Sequence, residues 1–177
     1  HTLSGVLTAQ NQGECIALDF PAQEVEACAL PDSLRDALGL EPQYGPYPTF
    51  RSADDWLIEA GGEGQIDLLR PNFSSLAHIS RTLNLRGVIV TAPAHYEYYG
   101  YDFVSRFFAP AVGIAEDPAT GSAHTKLAPF WGKRLGKTQL TGFQASKRGG
   151  LVRVSWRDAR VEIAGQAVTS LRGELLI

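Results

Sequence analysis

The stretch that decides the fold is Gly113-Ile114-Ala115-Glu116-Asp117-Pro118-Ala119-Thr120-Gly121-Ser122-Ala123-His124. A mostly apolar run over 103–112 leads into it, and Pro110 and Gly113 interrupt that run. After it, Leu127, Phe130, Trp131 and Leu135 are spaced as on one face of a helix. The stretch is therefore predicted to be a turn that feeds the first turn of a buried helix.

A helix start presents unpaired backbone N–H groups and the positive end of a dipole. Thr120, Gly121 and Ser122 are small, so an anion can approach those N–H groups closely. Asp117 lies just upstream, where its carboxyl group can handle a proton. A carboxylate cradle beside an acid–base group is predicted to form half of an active site.

A plainer interpretation of the same residues is a helix cap. Asp is a preferred N-cap and Pro is common at the first helical position, so Asp117-Pro118 by itself favours a cap. The combination of an acid, Pro118, Thr-Gly-Ser and His124 at one turn favours the active site. Gly121 supports this, because glycine destabilises a helix by about 0.5–1 kcal/mol relative to alanine.

Composition excludes several classes of function. The 177 residues suit one ordinary domain or two small lobes, and 44% hydrophobic content supplies a real core. The net charge is −3 and no basic cluster exceeds Lys147-Arg148, so we expect no nucleic-acid partner. No long uncharged apolar run or signal-peptide pattern is present, so we expect no membrane partner.

The two cysteines, Cys15 and Cys28, are too few for a disulfide framework and too isolated for a zinc site. They are predicted to be buried thiols in a reducing compartment, which favours a cytoplasmic location, and a disulfide between them stays open. The chain begins at His1 and contains no methionine. We therefore expect a fragment, a cleaved product or a chain that lacks its beginning.

The remaining elements are predicted from period and turn residues. Helices are predicted over 31–39 and 72–79, and a loop or irregular edge over 41–48 and a turn over 61–64. The predicted strands cover 1–9, 14–20, 50–51, 55–59, 65–69, 87–92, 102–108, 138–143, 151–156, 160–163 and 167–177. A run of antiparallel hairpins after one long helix favours an α+β fold in which a curved sheet wraps around that helix.

The segments 102–110 and 113–124 together resemble the phenazine-biosynthesis F-like (PhzF) family, and 144–150 and 163–168 continue the resemblance. The match is a long ordered string over essentially the whole chain, but over only the C-terminal two-thirds of a family member. It implies a fold like that of diaminopimelate epimerase, with two similar lobes that each wrap a mostly antiparallel sheet around a central helix. Residues 1–22 are then the end of the N-terminal lobe, and residues 23–177 are the C-terminal lobe.

The resemblance also implies a function. Family members shift protons and double bonds in small carboxylated molecules without a metal or an organic cofactor, and a homodimer is the expected assembly. Asp117 resembles one of the family's active-site acids, and Gly121 and Ser122 resemble its carboxylate cradle. The family's principal acid–base glutamate lies in the N-terminal lobe and has no match here, so this chain alone is expected to be inactive.

Several alternatives stay open at this point. Arg106 is a possible carboxylate ligand, or it pairs with Asp102 or Glu116, and His124 is a further candidate. A serine hydrolase built from Ser122, His124 and Asp117 is disfavoured, because on a helix Ser122 points away from the other two. A non-catalytic module that binds small carboxylates fits the same residues as an isomerase does.

Overall fold

The structure is a computed structural model that describes residues 7–95 and 100–174. This part of the chain forms ten strands and four α-helices, with short 3-10 turns at Pro42–Tyr44 and Pro110–Val112. The strands are β1 (Thr8–Gln12), β2 (Cys15–Pro21), β3 (Glu26–Cys28), β4 (Thr49–Arg51), β5 (Asp55–Glu59), β6 (Gly87–Pro93), β7 (Phe103–Phe108), β8 (Gln139–Gln144), β9 (Gly150–Arg157) and β10 (Arg160–Gln166). The helices are α1 (Asp32–Leu38), α2 (Glu63–Leu68), α3 (Phe73–Thr82) and α4 (Gly121–Leu135).

All ten strands belong to one sheet, in the order β1-β2-β10-β9-β8-β7-β6-β5-β4-β3. Two pairings are parallel, β5 with β6 and β7 with β8, and the others are antiparallel. The fold is therefore α+β with a mostly antiparallel sheet, as predicted. The hairpin β1–β2 joins the same sheet through β10, and the division into lobes at residue 22 stays a prediction.

Helix α4 is enclosed by the sheet. Every residue from Ala123 to Gly132 is buried, so the helix has no solvent-facing stripe along this length. Its apolar side chains share one core cluster with residues from β5 to β10, including Leu57, Ile89 and Val161. A helix buried all round must be covered on every side, and residues of the sheet and of the segment 22–25 supply that cover.

A second core lies on the outer face of the central strands. Helices α1, α2 and α3 cover this face, where Ile58, Val90 and Val104 pack. Neighbouring residues on the same strands, such as Leu57 and Ile89, face α4 instead. Because side chains alternate across a strand and both faces are covered here, β6 is buried from Gly87 to Ala92.

A buried ionic cluster fastens the middle of α4 to the sheet. Lys126 is 1% exposed, and its Nζ lies 2.8 Å from Oδ2 of the fully buried Asp55. Arg86 binds the same carboxylate with both Nε and Nη2. Lys126 and Arg86 are therefore two positive charges beside the one negative charge of Asp55. Asp54 supplies the second negative charge, because its Oδ1 lies 3.5 Å from Nζ of Lys126.

Pro129 lies inside α4 and has no N–H to donate to the carbonyl of Thr125. That carbonyl instead accepts a hydrogen bond of 3.0 Å from the N–H of Gln23. The preceding residue, Ala22, donates to the carbonyl of Ala159 at 2.8 Å. The link between β2 and β3 is therefore bonded to the central helix and to the β9–β10 turn.

Two predicted strands were wrong. The segment 65–69 lies mostly in helix α2, because Ile66 and Leu69 are buried three residues apart while Leu68 is 67% exposed. A spacing of three places both buried side chains on one helical face, which a strand cannot do. The predicted strand 167–177 is not formed over 167–174, where Val168 and Leu171 are exposed, and 175–177 lie outside the described residues.

The cysteines are free thiols, so the disulfide that the sequence left open is not formed. Both are only partly buried, whereas the sequence predicted buried thiols. Burial raises the pKa of the Cys28 thiol, and nearby Arg51 partly opposes this rise.

Prediction: Gly142→Ala destabilises the fold by about 1–3 kcal/mol. A methyl group at this position on β8 would lie 2.5 Å from the Phe103 ring and 3.1 Å from Nε2 of His124. The free energy of unfolding in urea measures the effect. The matched control is Gly64→Ala, where a methyl group meets nothing within 4 Å and an equal or higher stability is expected. Equal losses in both variants would contradict the packing described here.

Candidate active site

The turn between β7 and α4 is built largely by main-chain hydrogen bonds. Ala109 and Ile114 form an isolated bridge, and Gly113 adopts a φ of 89° between them. The N–H of Asp117 then donates to the carbonyl of Phe107 at 3.0 Å. Positive φ is the conformation that glycine supplies at little cost, so Gly113 lets the chain return beside β7 and places Asp117 there.

Helix α4 starts later than a cap at Asp117-Pro118 would require. Thr120 is its N-cap and Gly121 its first residue, so the cap interpretation was wrong. Asp117 instead accepts a short hydrogen bond from the Thr120 hydroxyl through Oδ2. Among the residues that the structure describes, none donates a hydrogen bond to Oδ1 of Asp117.

Gln144, at the end of β8, binds both ends of this turn. Its Oε1 accepts from the N–H of Thr120 at 2.8 Å. Its Nε2 donates to the carbonyl of Asp117 at 2.6 Å and to the Thr120 hydroxyl at 3.0 Å. Ser146 adds a hydrogen bond from its hydroxyl to the carbonyl of Pro118 at 2.9 Å.

The first turn of α4 faces open space. Gly121 and Ser122 are half-buried, and a methyl group built on Gly121 would meet nothing within 4 Å. The Thr120 side chain does not cap the helix. The first backbone N–H groups of a helix have no intrahelical acceptor, so those of Gly121 and Ser122 need an acceptor from outside the helix. Thr120 is different, because its N–H and its hydroxyl are both used inside the protein.

His124 is fully buried and lies beside the Phe103 ring. Its Nδ1 is 2.8 Å from the carbonyl of Thr120. A carbonyl only accepts, so Nδ1 carries the proton. Within residues 7–95 and 100–174, Nε2 has no hydrogen-bond partner. Burial lowers the pKa of His124 to about 4, because the charged form would lose its hydration, and the bond to Thr120 offsets this only in part.

Arg106 pairs with Glu116, one of the alternatives that the sequence left open. Its Nε and Nη2 bind the Glu116 carboxylate at 2.6 and 3.0 Å, and its Nη1 donates to the carbonyls of Ile66 and Leu69. The guanidinium also lies over the Phe108 ring. Arg106 therefore joins the turn to α2 on the outer face of the sheet, and it does not pair with Asp102.

The geometry excludes a Ser-His-Asp triad here. Nδ1 of His124 is bound to Thr120, and Oδ2 of Asp117 is bound to the Thr120 hydroxyl. A triad requires the carboxylate on the histidine and the histidine on the serine. The structure brings Asp117, Gly121 and Ser122 to the accessible start of α4, buries His124 behind Thr120, and places Arg106 on the outer face of the sheet.

Two clefts open on the surface of the described chain. One of about 580 Å³ lies beside the turn and is lined by Phe73, Ala115, Glu116, Pro118, Ser146, Lys147 and Arg148. Another of about 370 Å³ lies over β8–β10, and neither cleft is lined by a predicted site residue. Over the described ranges, no group of His, Cys, Asp and Glu suits a metal ion. In the same ranges no helix is both long and apolar enough to cross a bilayer.

The sequence matches a known protein family. The pattern of the PhzC-PhzF family, described as "Phenazine biosynthesis-like protein", matches residues 1–173. The chain belongs to the phenazine biosynthesis-like family. Its relatives in this family include an uncharacterized isomerase of Halalkalibacterium halodurans, 45% identical over all of this chain and 63% of the relative. Another uncharacterized isomerase, from Pseudomonas aeruginosa, is 42% identical over 98% of this chain and 62% of its own length.

Solved structures of the family have the same fold. A PhzF-family protein of Enterococcus faecalis is 35% identical, with a TM-score of 0.80 over 96% of this chain and 60% of that one. A putative PhzC/PhzF protein of Clostridium difficile is 28% identical, with a TM-score of 0.77 over 96% of this chain and 61% of that one. This chain thus spans a little over three-fifths of the length of these relatives. The homodimer and the cytoplasmic location stay predictions.

Two residues of this region were missed by the sequence analysis. Gln144 was quoted only as part of the family string, although it binds the Asp117–Thr120 turn at three points. Lys126 was not singled out at all, although it is buried against Asp55. The position of Gln144, a polar residue at the end of a predicted strand, is only a weak indication of its role. No local sequence pattern indicated the role of Lys126.

Prediction: His124 makes stability fall as the pH decreases. Its folded pKa of about 4 is below the ordinary value of 6.5. The stability of the neutral form is fully present above about pH 6.5 and is lost progressively toward pH 4, because the unfolded chain takes up the proton first. Between about pH 7 and about pH 4.5 this group should cost about 2 kcal/mol.

Urea unfolding at these two pH values measures the change. His124→Asn keeps an N–H donor for the Thr120 carbonyl but does not titrate in this range. Between the two pH values, His124→Asn should lose about 2 kcal/mol less stability than the wild type loses. An equal pH dependence in both proteins would show that His124 is not held neutral.

Proposed function

We propose that this protein is an isomerase that moves a proton within a small carboxylated substrate. Asp117 is the acid–base group, and the start of α4 holds the substrate carboxylate. The observation that carries the proposal is the half-buried Asp117, whose Oδ1 has no hydrogen-bond donor among the described residues, next to the open first turn of α4. The two relatives named as isomerases support it.

The chemistry follows from what each group can do. Asp117 takes a proton from one carbon of the substrate and returns it to another, while a double bond shifts between them. The product is an isomer, so the step needs no oxidant or reductant. The N–H groups of Gly121 and Ser122 and the dipole of α4 stabilise the carboxylate and the negative charge that spreads onto it.

Ser122 is a second candidate for contact with the substrate. Its hydroxyl lies in the open first turn of α4, and the carbonyl of Ser122 accepts a hydrogen bond from the Thr125 hydroxyl at 2.7 Å. This bond fixes the main chain of the cradle from inside the helix. In the proposal, the Ser122 hydroxyl donates to the substrate carboxylate, while its main chain stays in place.

The opposing wall of the cleft is proposed to come from residues outside this chain. The site described here has one acid facing one cradle, and proton transfer between two carbons is served best by groups on both sides of the substrate. The relatives contain more than a third of additional sequence. A second lobe with its own acid–base residue is the proposed source, and this chain by itself is then expected to bind but not to turn over.

Prediction: the chain by itself binds benzoate at the start of α4. NMR titration should shift the amide signals of Gly121 and Ser122, because these N–H groups donate to the carboxylate. Benzamide, which lacks the charge, should bind at least about fivefold more weakly. If benzoate shifted only the amide signals of other residues, the proposed carboxylate site at the start of α4 would be rejected.

Gly121→Ala tests the same contact. A Cβ tilts toward the N-terminus of its helix, so the new methyl group occupies the space in front of the amides. Benzoate affinity should fall about fivefold or more, while the matched variant Gly64→Ala keeps the affinity of the wild type.

Prediction: Asp117→Asn strongly slows proton exchange. The probe is cyclohex-2-ene-1-carboxylate in D₂O, and NMR follows the appearance of deuterium and the shift of the double bond. The protein is this chain joined to the segment of the Halalkalibacterium halodurans relative that it does not match. The rate should fall about 10²–10⁴-fold, because asparagine cannot accept the proton, while benzoate affinity is retained.

Asp67→Asn is the control, because Asp67 is an exposed carboxylate on α2. Unchanged exchange in Asp117→Asn would remove Asp117 from the mechanism. Benzoate binding at Gly121 without exchange in the joined protein would favour the alternative, a non-catalytic module that binds small carboxylates.

A further inference from the structure

Gln144 is a buried polar side chain without any exposed surface, and it ends β8 beside Ser105 of β7. A buried amide must satisfy its hydrogen bonds inside the protein, since an unpaired one costs stability. All three of its hydrogen bonds go to the turn between Asp117 and Thr120. No other part of the described chain shares this side chain's hydrogen bonds.

The orientation of the Gln144 amide is fixed by its neighbours. The N–H of Thr120 can only donate, so it must face Oε1, and the distance is 2.8 Å. Nε2 then faces the carbonyl of Asp117 and the Thr120 hydroxyl oxygen. Exchanging the two ends would set two donors against each other, so the amide has one orientation.

This orientation determines where the Thr120 hydroxyl points. The hydroxyl has one hydrogen, and its oxygen already accepts from Nε2 of Gln144. The hydrogen is therefore directed to Oδ2 of Asp117. A threonine at the N-cap ordinarily accepts from an amide in the first turn of its helix, and here the side chain makes no such bond.

We propose that Gln144 is a positioning residue: it aims the Thr120 hydroxyl at Oδ2 of Asp117 and away from the start of α4. The inference rests on the proposed function. One oxygen of Asp117 is thereby fixed, and the other, Oδ1, faces the substrate proton. In the same arrangement the amides of the first turn stay unoccupied, so one buried side chain prepares both the acid–base group and the carboxylate cradle.

The kinetic test uses the joined protein and cyclohex-2-ene-1-carboxylate. Gln144→Met has a similar length and no hydrogen-bonding group, and Thr120→Val removes only the hydroxyl. Both should lower kcat for exchange at least about tenfold and change KM less than about threefold, because the reacting group is displaced more than the binding surface is.

Ser146→Ala is the matched control. It removes a hydrogen bond from the loop after β8 to the same turn, the one to the Pro118 carbonyl, together with the bond that the Ser146 hydroxyl accepts from the N–H of Gly149, and neither bond involves Thr120 or Asp117. Its kcat should stay within about twofold of the wild type. If Ser146→Ala lowers kcat as much as Gln144→Met does, or if Thr120→Val has no effect, the positioning role is rejected.

A second measurement needs no turnover and uses the chain itself. In Gln144→Met the Thr120 hydroxyl is released to cap the helix, so exchange of the Ala123 amide hydrogen with solvent should become at least about threefold slower than in the wild type. If Gln144 only held the turn in place, its removal would make the Ala123 amide hydrogen exchange faster. Unchanged or faster exchange overturns the inference.

The two measurements also separate this inference from the proposed function. If the wild-type joined protein shows no proton exchange, the isomerase proposal fails, and the Ala123 amide still decides whether Gln144 directs the hydroxyl. If the wild type exchanges protons and neither variant changes kcat or the Ala123 amide, the isomerase stands and the positioning role falls.

Discussion

The enclosure of α4 is the constraint on which the rest of the structure depends. From Ala123 to Gly132 the helix has no exposed face, because residues of β5 to β10 and of the segment 22–25 cover it. A helix buried in this way reaches solvent only at its ends. The end at Gly121 is open, and the preceding turn brings Asp117 beside it. The location of the candidate site is therefore a consequence of how the core is packed.

Enclosure also obliges the polar side chains of the helix to find partners. Lys126 is charged and buried, and Asp55, shared with Arg86, compensates it. Removing one member of such a buried pair leaves an uncompensated charge and typically costs about 3–5 kcal/mol. His124 is accommodated differently, as a neutral ring with its proton on Nδ1. These contacts keep the helix in one position, and a fixed helix start is what an anion cradle requires.

The sequence predicted the parts of this arrangement that have a local signal. The hairpins from β8 to β10 follow from alternating side chains, and α4 follows from the spacing of Leu127, Phe130 and Trp131. Segment 65–69 was misassigned because a short apolar run fits a strand and one turn of helix equally well. Asp117, Gly121 and Ser122 were found together because they are neighbours in the sequence. Gln144 was not, since its partners lie more than twenty residues away and only the parallel pairing of β7 with β8 brings it to them.

The proline within α4 has a mechanical consequence. Because Pro129 leaves the Thr125 carbonyl free for Gln23, the strand hairpin at the start of the chain is tied to the middle of the helix by its own main chain. The Thr125 hydroxyl in turn holds the Ser122 carbonyl. Thr125 is therefore hydrogen-bonded both to the segment that follows that hairpin and to the main chain at the start of α4, so one residue joins the two.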